Sequence, residues 1–291
     1  MSGKTMRKPD WLKVPIPSGE RYKRVKQAVD CGGLHTVCAE ARCPNMGECW
    51  DAGTATFMIL GDLCTRGCRF CAVSRGNQGG SVDREEPERV KEAVVRMGLE
   101  YAVITSVTRD DLDDGGAAIF AAAIRAVKSL DPPVRVEVLT PDYIGGDLET
   151  VLEAAPDVFA HNIEVVKRLT PSMRHAGFSY ERSLECLSRA RAFNRNQLTK
   201  SSIMLGLGES DAEIEDSMAD LLGVGVEILV LGQYLQPTRD HAEVIEYIHP
   251  DRFEKWAHFG RAMGFGYVAA GPLVRTSYRA AEAYVHGLRG A

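Results

Sequence analysis

From Thr54 onward, short apolar runs alternate with amphipathic stretches. The runs at 55–60 (ATFMIL), 102–106 (AVITS), 134–139 (VRVEVL), 157–161 (DVFAH), 200–205 (KSSIML) and 227–232 (EILVLG) have the length and near-continuous apolarity of buried strands. Between them, the helical spacing of apolar residues predicts helices over 86–98, 115–129, 147–155, 180–193 and 210–222. Start signals agree: Pro87 suits a first turn, and Asp211 with Glu213 suits another. Gly98 and Gly223 follow two of these helices and are expected as left-handed caps. A further helix near 250–263 and an apolar run at 266–270 precede the final segment GPLVRTSYRAAEAYVHGLRG.

Strand–helix alternation of this kind calls for parallel strands covered by helices. The predicted class is α/β. Six repeats fit an open or partial (βα)6 barrel, similar to a TIM barrel, better than a dinucleotide-binding sheet. No phosphate-binding glycine loop follows the first strand, and 206–208 (GLG) is too short to be one. Reactive groups are then expected at the C-terminal ends of the strands. Residues 1–53 are rich in Pro, Gly and Cys with little periodicity. The chain therefore divides into an N-terminal extension (1–53), a barrel core (54–248) and a C-terminal extension (249–291), without internal repeat or linker.

Composition narrows the class. Of 291 residues, 45% are hydrophobic and 26% charged, the balance of a folded globular chain. No apolar run approaches the roughly 20 residues of a membrane span, and the first residues lack the apolar stretch of a secretory signal. A cytoplasmic location is expected, without a membrane partner. The net charge of −5 argues against nucleic acid as a main partner. Residues 1–30 nevertheless carry eight basic groups against three acidic ones. That segment reads either as a solvated tail or as a basic arm for an acidic protein partner.

Eight cysteines in such a chain are not expected to pair as disulfides. Six of them fall between Cys38 and Cys71 and divide into two triads. Cys64, Cys68 and Cys71 have the spacing CxxxCxxC, with Gly67 to permit a tight turn. Three thiolates on one short loop suit an iron–sulfur cluster with one iron left open, whereas structural zinc wants four protein ligands. Cys38, Cys43 and Cys49 have the spacing CxxxxCxxxxxC. Pooling both triads into one binuclear zinc site is the alternative. Cys31 and Cys186 lie outside both groups and are expected to be inert.

With the motifs GLHTVC, CPNMGECW, CTRGCRFC, TRDDLDDGG, HNIE, KSSIMLGLGE, LGQYLQPT and GPLVRTSY, the chain from about Gly33 to Tyr278 resembles the lipoyl synthases of the radical S-adenosylmethionine superfamily. CxxxCxxC points only to the superfamily; the second triad with the late serine motif points to the family. The resemblance implies a partial barrel of six βα units, two [4Fe-4S] clusters and S-adenosylmethionine. One cluster would sit on Cys64, Cys68 and Cys71. The auxiliary one would be carried by the extensions, on Cys38, Cys43 and Cys49 with Ser277 as fourth ligand, and would be the sulfur donor. The family motif has serine where this chain has Thr276, while Ser277 keeps the ligand position. Ser277 as a simple helix N-cap is the alternative.

The implied reaction inserts two sulfur atoms, at C6 and C8 of an octanoyl chain on a lysine of a carrier domain. That carrier would be the acyltransferase domain of a 2-oxoacid dehydrogenase or the carrier protein of glycine cleavage. Reduced ferredoxin or flavodoxin would supply electrons. For S-adenosylmethionine, the resemblance places Phe70 beside the adenine, although a core Phe fits that position too. Asn162 would bind the ribose or carboxylate, and Gly206 and Gly208 would allow close approach of the adenine. Arg109 and Asp111 are candidates for cofactor or substrate charge, against the alternative that the acidic run Asp110, Asp111, Asp113 and Asp114 opens a helix. Glu209 fits a helix cap. The rivals are another sulfur-inserting radical enzyme and, from a different class, a zinc-binding scaffold or iron–sulfur electron carrier.

Overall fold

The computed structural model describes residues 7–14, 22–23, 25–27, 29, 33–40, 43–51, 55–278, 280 and 284. Cys31 and much of the basic arm lie outside them. Ten strands are described: β1 (His35–Thr36), β2 (Thr56–Ile59), β3 (Leu63–Cys64), β4 (Ser74–Arg75), β5 (Tyr101–Ser106), β6 (Arg135–Leu139), β7 (Val158–Ala160), β8 (Leu198–Leu205), β9 (Ile228–Gln233) and β10 (Tyr267–Gly271). Eight of them form one sheet in the order β1-β2-β5-β6-β7-β8-β9-β10, parallel throughout except for the antiparallel β1–β2 pair. Consecutive parallel neighbours joined by helices make the predicted partial barrel, with β2 and β5 to β9 as its six repeats. β10 adds a seventh parallel strand. Among the described residues no ladder joins β10 to β1.

The helices between the strands are Glu86–Met97, Ala117–Lys128, Gly146–Glu153, Tyr180–Phe193 and Asp211–Gly223, followed by Pro250–Met263 before β10. Local chemistry explains their ends. Pro87 lies in a first turn, and Gly98 closes that helix with φ 61° and ψ 44°. Ser210 and Glu213 form a reciprocal capping box at the start of Asp211–Gly223. Gly223 differs from expectation: it is the last helical residue, and the left-handed turn falls two residues later at Gly225 (φ 85°).

Apolar side chains of the first four helices pack with β2, β5 and β6 in one core cluster, and those of β8, β9 and the last two helices form a second. The lumen is more polar. Near its floor Lys200 donates to both oxygens of Glu137 (2.8 and 3.1 Å), which also accepts from the Tyr101 hydroxyl (2.7 Å). Ala280 is fully buried against Tyr101 and Val103, and the Tyr284 ring lies 5.9 Å from that of Tyr101. The chain beyond β10 thus returns to the lumen wall. Among the described residues no helix is long and apolar enough to cross a membrane.

Candidate active site

The first cysteine triad occupies the loop that leaves β2. The short parallel pair β3–β4 clips this loop at its base, with Cys64 opposite Arg75 and Gly76 N–H donating to the Cys64 carbonyl (2.9 Å). Three barrel loops hold its crest: Thr65 N–H donates to Thr108 O (3.0 Å), Arg69 N–H to Met173 O (2.8 Å), and His241 Nε2 to Cys71 O (2.9 Å). Gly67 is not in a left-handed turn, but it lies close under the exposed Arg75 side chain. A Cβ there would meet the Arg75 side chain at 3.0 Å.

The three cysteines line a cavity of about 160 Å³ at the C-terminal ends of the strands, with Phe70, Thr105, Ser106, Thr140, His161, Asn162, Glu164, Arg174 and Phe178 among its walls. Burial pushes the Cys68 thiol up and that of Cys71 up to about 12. A cationic centre is therefore what would hold thiolates at these positions. Four wall residues each present a buried polar atom with no protein partner: Ser106 Oγ, Thr140 Oγ1, Asn162 Oδ1 and Arg174 Nε. Such atoms are costly unless something bound there satisfies them. The cavity thus fits a cluster together with a polar ligand beside it.

Sequence reasoning did not select Arg174, and it marked Glu164 only as part of the HNIE segment. Arg174 is 7% exposed, donates to Ser183 Oγ (2.8 Å) and lies 4.1 Å over the Phe178 ring. His161 holds that serine: its Nε2 is 3.0 Å from Ser183 Oγ, and its Nδ1–H donates to the Thr140 carbonyl (2.9 Å). Burial, with the Arg174 charge in second place, lowers the His161 pKa to about 4, so the ring is neutral at pH 7. Glu164 has φ 68°, a strained conformation for a side-chain-bearing residue, and turns towards Asn162 and Arg174. Burial raises its pKa against the lowering effect of Arg174 and the Asn162 amide. The HNIE motif signals Glu164; nothing local marks Arg174.

The acidic run divides its labour. Asp110 accepts from Arg66 (2.8 Å to Oδ1), whose guanidinium also reaches Asp142 (2.9 Å) and lies over the Phe178 ring at 4.1 Å from its centre. Asp114 receives the Gly116 and Ala118 N–H groups (2.9 Å each) at the start of helix Ala117–Lys128. Arg109 and Asp111 depart from expectation. Arg109 is 1% exposed and forms a two-pronged pair with Asp111 (2.8 and 2.9 Å), while donating to Leu60 O (3.1 Å) and Ser81 O (2.8 Å). Neither residue lines the cavity; a buried guanidinium satisfied by a carboxylate and two carbonyls braces the loop frame.

Phe70 and Asn162 do line the cavity, whereas Gly206 and Gly208 do not. Gly206 (φ 99°) lies where a Cβ would collide with Gln233 and the Glu246 backbone, so its neighbours alone require glycine. Glu209 accepts from the Gly206 and Leu207 N–H groups and so closes its own turn, leaving the helix cap to Ser210.

Cys38, Cys43 and Cys49 line a second, smaller cavity of about 20 Å³, together with Asn45, Thr56, Arg275, Ser277 and Tyr278. Helices Val37–Glu40 and Met46–Asp51 present the first and third cysteines. The turn after β10 brings the rest: Asn45 Nδ2 donates to Leu273 O, and the Tyr278 hydroxyl donates to Glu48 (2.9 Å). Burial raises the Cys38 and Cys43 thiols, opposed at Cys43 by the charge of Arg275. Three cysteines and Ser277 therefore line one small space, beside the further hydroxyl residues Thr56 and Tyr278. Among the described residues, no three His, Cys, Asp or Glu side chains are grouped to hold a single metal ion. The triads line separate cavities, unlike a pooled zinc site. Cys186, buried in helix Tyr180–Phe193, lines neither.

A model of the radical SAM superfamily matches residues 58–221, and one of the N-terminal domain of lipoyl synthase matches residues 1–43. The lipoyl synthase of Thermus thermophilus is 55% identical over 281 residues, covering 96% of this chain and 87% of its own. That of Anaeromyxobacter dehalogenans is 53% identical, covering 97% and 96%. The crystal structure of methylornithine synthase shares the fold, with a TM-score of 0.55 at 13% identity over 92% of this chain and 80% of its own. Identity at this level across nearly the full length, on a barrel whose two cysteine triads line two cavities, means that the chain belongs to the lipoyl synthase family of radical S-adenosylmethionine enzymes.

Proposed function

We propose that the two cavities are the two halves of a single sulfur-inserting active site, acting on an octanoyl chain carried by a protein lysine. The observation that carries this reading is the pairing of an incomplete donor set with a complete one. Cys64, Cys68 and Cys71 share a cavity that has room and unpartnered polar atoms; Cys38, Cys43 and Cys49 share theirs with Ser277. When bound, two [4Fe-4S] clusters and S-adenosylmethionine supply the radical that breaks C–H bonds at C6 and C8 and the sulfur that replaces them.

The chain's own contribution is placement. Cys64, Cys68 and Cys71 would hold one cluster on a loop that three neighbouring loops keep rigid. Arg174 supplies a fixed positive charge beside Cys68, suited to the carboxylate of the methionyl part, while Glu164 suits its amino group. Asn162 Oδ1, Ser106 and Thr140 offer polar atoms to the ribose, and Phe70 offers an apolar face to the adenine. Serine oxygen is a harder donor than thiolate and a weaker ligand for iron. Ser277 would therefore hold its iron less firmly than the three cysteines would hold theirs.

Finer readings follow from the same proposal. The carrier would be a dehydrogenase acyltransferase domain or the glycine cleavage carrier, and the electron donor reduced ferredoxin or flavodoxin in a reducing cytoplasm. The divisions 1–53, 54–248 and 249–291 separate the auxiliary-cluster arm, the barrel and the closing segment. The test is a mass assay. Anaerobically reconstituted protein, given an octanoylated lysine peptide, S-adenosylmethionine and a reductant, should yield the peptide with two added sulfurs and the matching loss of hydrogen. Deoxyadenosine without sulfur on the peptide would point to another radical enzyme, and neither product would remove the reading.

A further inference from the structure

Thr276 and Ser277 are adjacent, yet they face different sites. Ser277 lines the smaller cavity with the second triad. Thr276 turns the other way, into the barrel wall. Its Oγ1 lies 3.0 Å from Ser202 Oγ on β8 and accepts from Asn162 Nδ2 at 3.1 Å. The other hydrogen of that amide goes to Glu164 Oε1, also at 3.1 Å. Both donors of Asn162 are therefore taken, by one residue of the C-terminal turn and one of the HNIE segment. The amide can then present only its carbonyl oxygen elsewhere, and Oδ1 is the buried atom without a partner on a residue of the larger cavity's wall.

The turn that carries Thr276 is seated firmly. Its Val274 carbonyl lies so close to Gly232 on β9 that a Cβ there could not fit, and Asn45 and Tyr278 tie it to the N-terminal extension. A shift of the turn would move the Thr276 hydroxyl away from Asn162 and Ser277 away from the cysteines together. We infer that Thr276 is a positioning residue that sets Asn162 for a ligand in the larger cavity and Ser277 for the cluster in the smaller one, so that the two sites are aligned through one hydroxyl. The inference rests on the proposed placement of S-adenosylmethionine and of the Ser277-bound cluster. Its hydroxyl also explains why threonine can stand where the related motif has serine.

Thr276→Val keeps the shape and removes the hydroxyl; Thr276→Ser keeps the hydroxyl. Each is loaded with iron and sulfide and titrated by calorimetry with S-adenosylhomocysteine, which cannot be cleaved. Deoxyadenosine released per sulfur inserted is then measured with S-adenosylmethionine. The valine variant should bind the analogue roughly tenfold more weakly, the size of one lost polar contact, and release more deoxyadenosine per sulfur. The serine variant should stay within about twofold of the parent on both. Valine unchanged in affinity and ratio, or serine as impaired as valine, overturns the inference. Should the valine variant not fold, Ser202→Ala removes the other partner of the hydroxyl, and must shift both readouts in the same direction for the inference to stand. Ser277→Ala tests the underlying reading separately. Normal sulfur insertion by that variant removes the reading itself, whereas its loss alongside a neutral Thr276→Val removes only the alignment.

Discussion

The first triad stands on one loop of eight residues, clipped at its base by β3–β4 and held by loops from three barrel units, whereas the second needs segments that are more than 220 residues apart in the chain. One donor set is ready as soon as its loop is framed; the other exists only after the turn beyond β10 has docked on the N-terminal extension. Loop-closure entropy rises with the logarithm of length, so joining the distant segments costs on the order of 3 kcal/mol more than joining near ones. What the distant arrangement adds is dependence: anything that loosens residues 273–278 disassembles the smaller site, while the first triad keeps its framed loop and its cavity loses only the Thr276 contact to Asn162. The volumes agree with this division. The larger cavity has room beside its cysteines for a ligand, while the smaller is little more than the space its own donors enclose.

The strongest way to break this comparison is to delete one triad. Replacing Cys64, Cys68 and Cys71 together by Ala should abolish deoxyadenosine formation and remove about half of the bound iron and sulfide, leaving the other half in place. Loss of all the iron would show that the sites do not load independently. Next in size is Ser277→Ala. Cleavage of S-adenosylmethionine should continue, since the first triad does not depend on the C-terminal turn, while sulfur insertion into the peptide falls below detection. Full sulfur insertion would leave Ser277 as a turn residue only.

A smaller effect is expected within the larger cavity. Arg174→Met removes a buried cation whose Nε has no protein partner. Affinity for S-adenosylhomocysteine should fall roughly ten- to hundredfold, as for loss of a charged hydrogen bond. Iron content should not change, because Arg174 is not among the thiol donors. Arg174→Lys keeps the charge without the planar fork and should fall between the two. Equal affinities across the series would assign the unpartnered atoms to something other than this ligand.

The pattern of apolar runs located every strand of the six repeats to within two residues, because a strand buried on both faces leaves an almost continuous apolar signature. Cysteine spacing identified both triads for a similar reason: cluster ligands are local sets with few permitted spacings. The pocket walls were less legible. Arg174 follows a short helix, Thr170–Met173, in a stretch without periodicity, and only the folded chain brings it beside Cys68 and Glu164. The glycines of GLGE and the pair Arg109–Asp111 lie outside the cavity walls. Residues that approach a ligand and residues that brace a loop look alike in sequence, and burial decides between them. Thr276 shows this most clearly, since its partners are 74 and 114 residues away.

The smallest effect sharpens that last distinction. Arg109 holds the Asp111 carboxyl at about 2, below its ordinary 3.8, with a further contribution from the Gly80 N–H. A group whose folded-state pKa is lowered stabilises the fold fully above its unfolded value, and that contribution disappears as pH falls towards the folded one. Asp111 therefore stabilises the chain at pH 5 and above, progressively less between pH 4 and pH 2, and not below. Asp111→Asn should lower the urea midpoint at pH 6, and the gap from the parent should narrow steadily towards pH 2, where about half of the folded parent is already protonated at this position. S-adenosylhomocysteine affinity at pH 7 should stay within about twofold, because the carboxylate faces Arg109 and Gly80 rather than the cavity. A gap that persists at pH 2 would show that the charge is not what matters there. A tenfold loss of affinity would return Arg109 and Asp111 to the ligand site, and with them the view that the acidic run serves chemistry rather than the frame around the first triad.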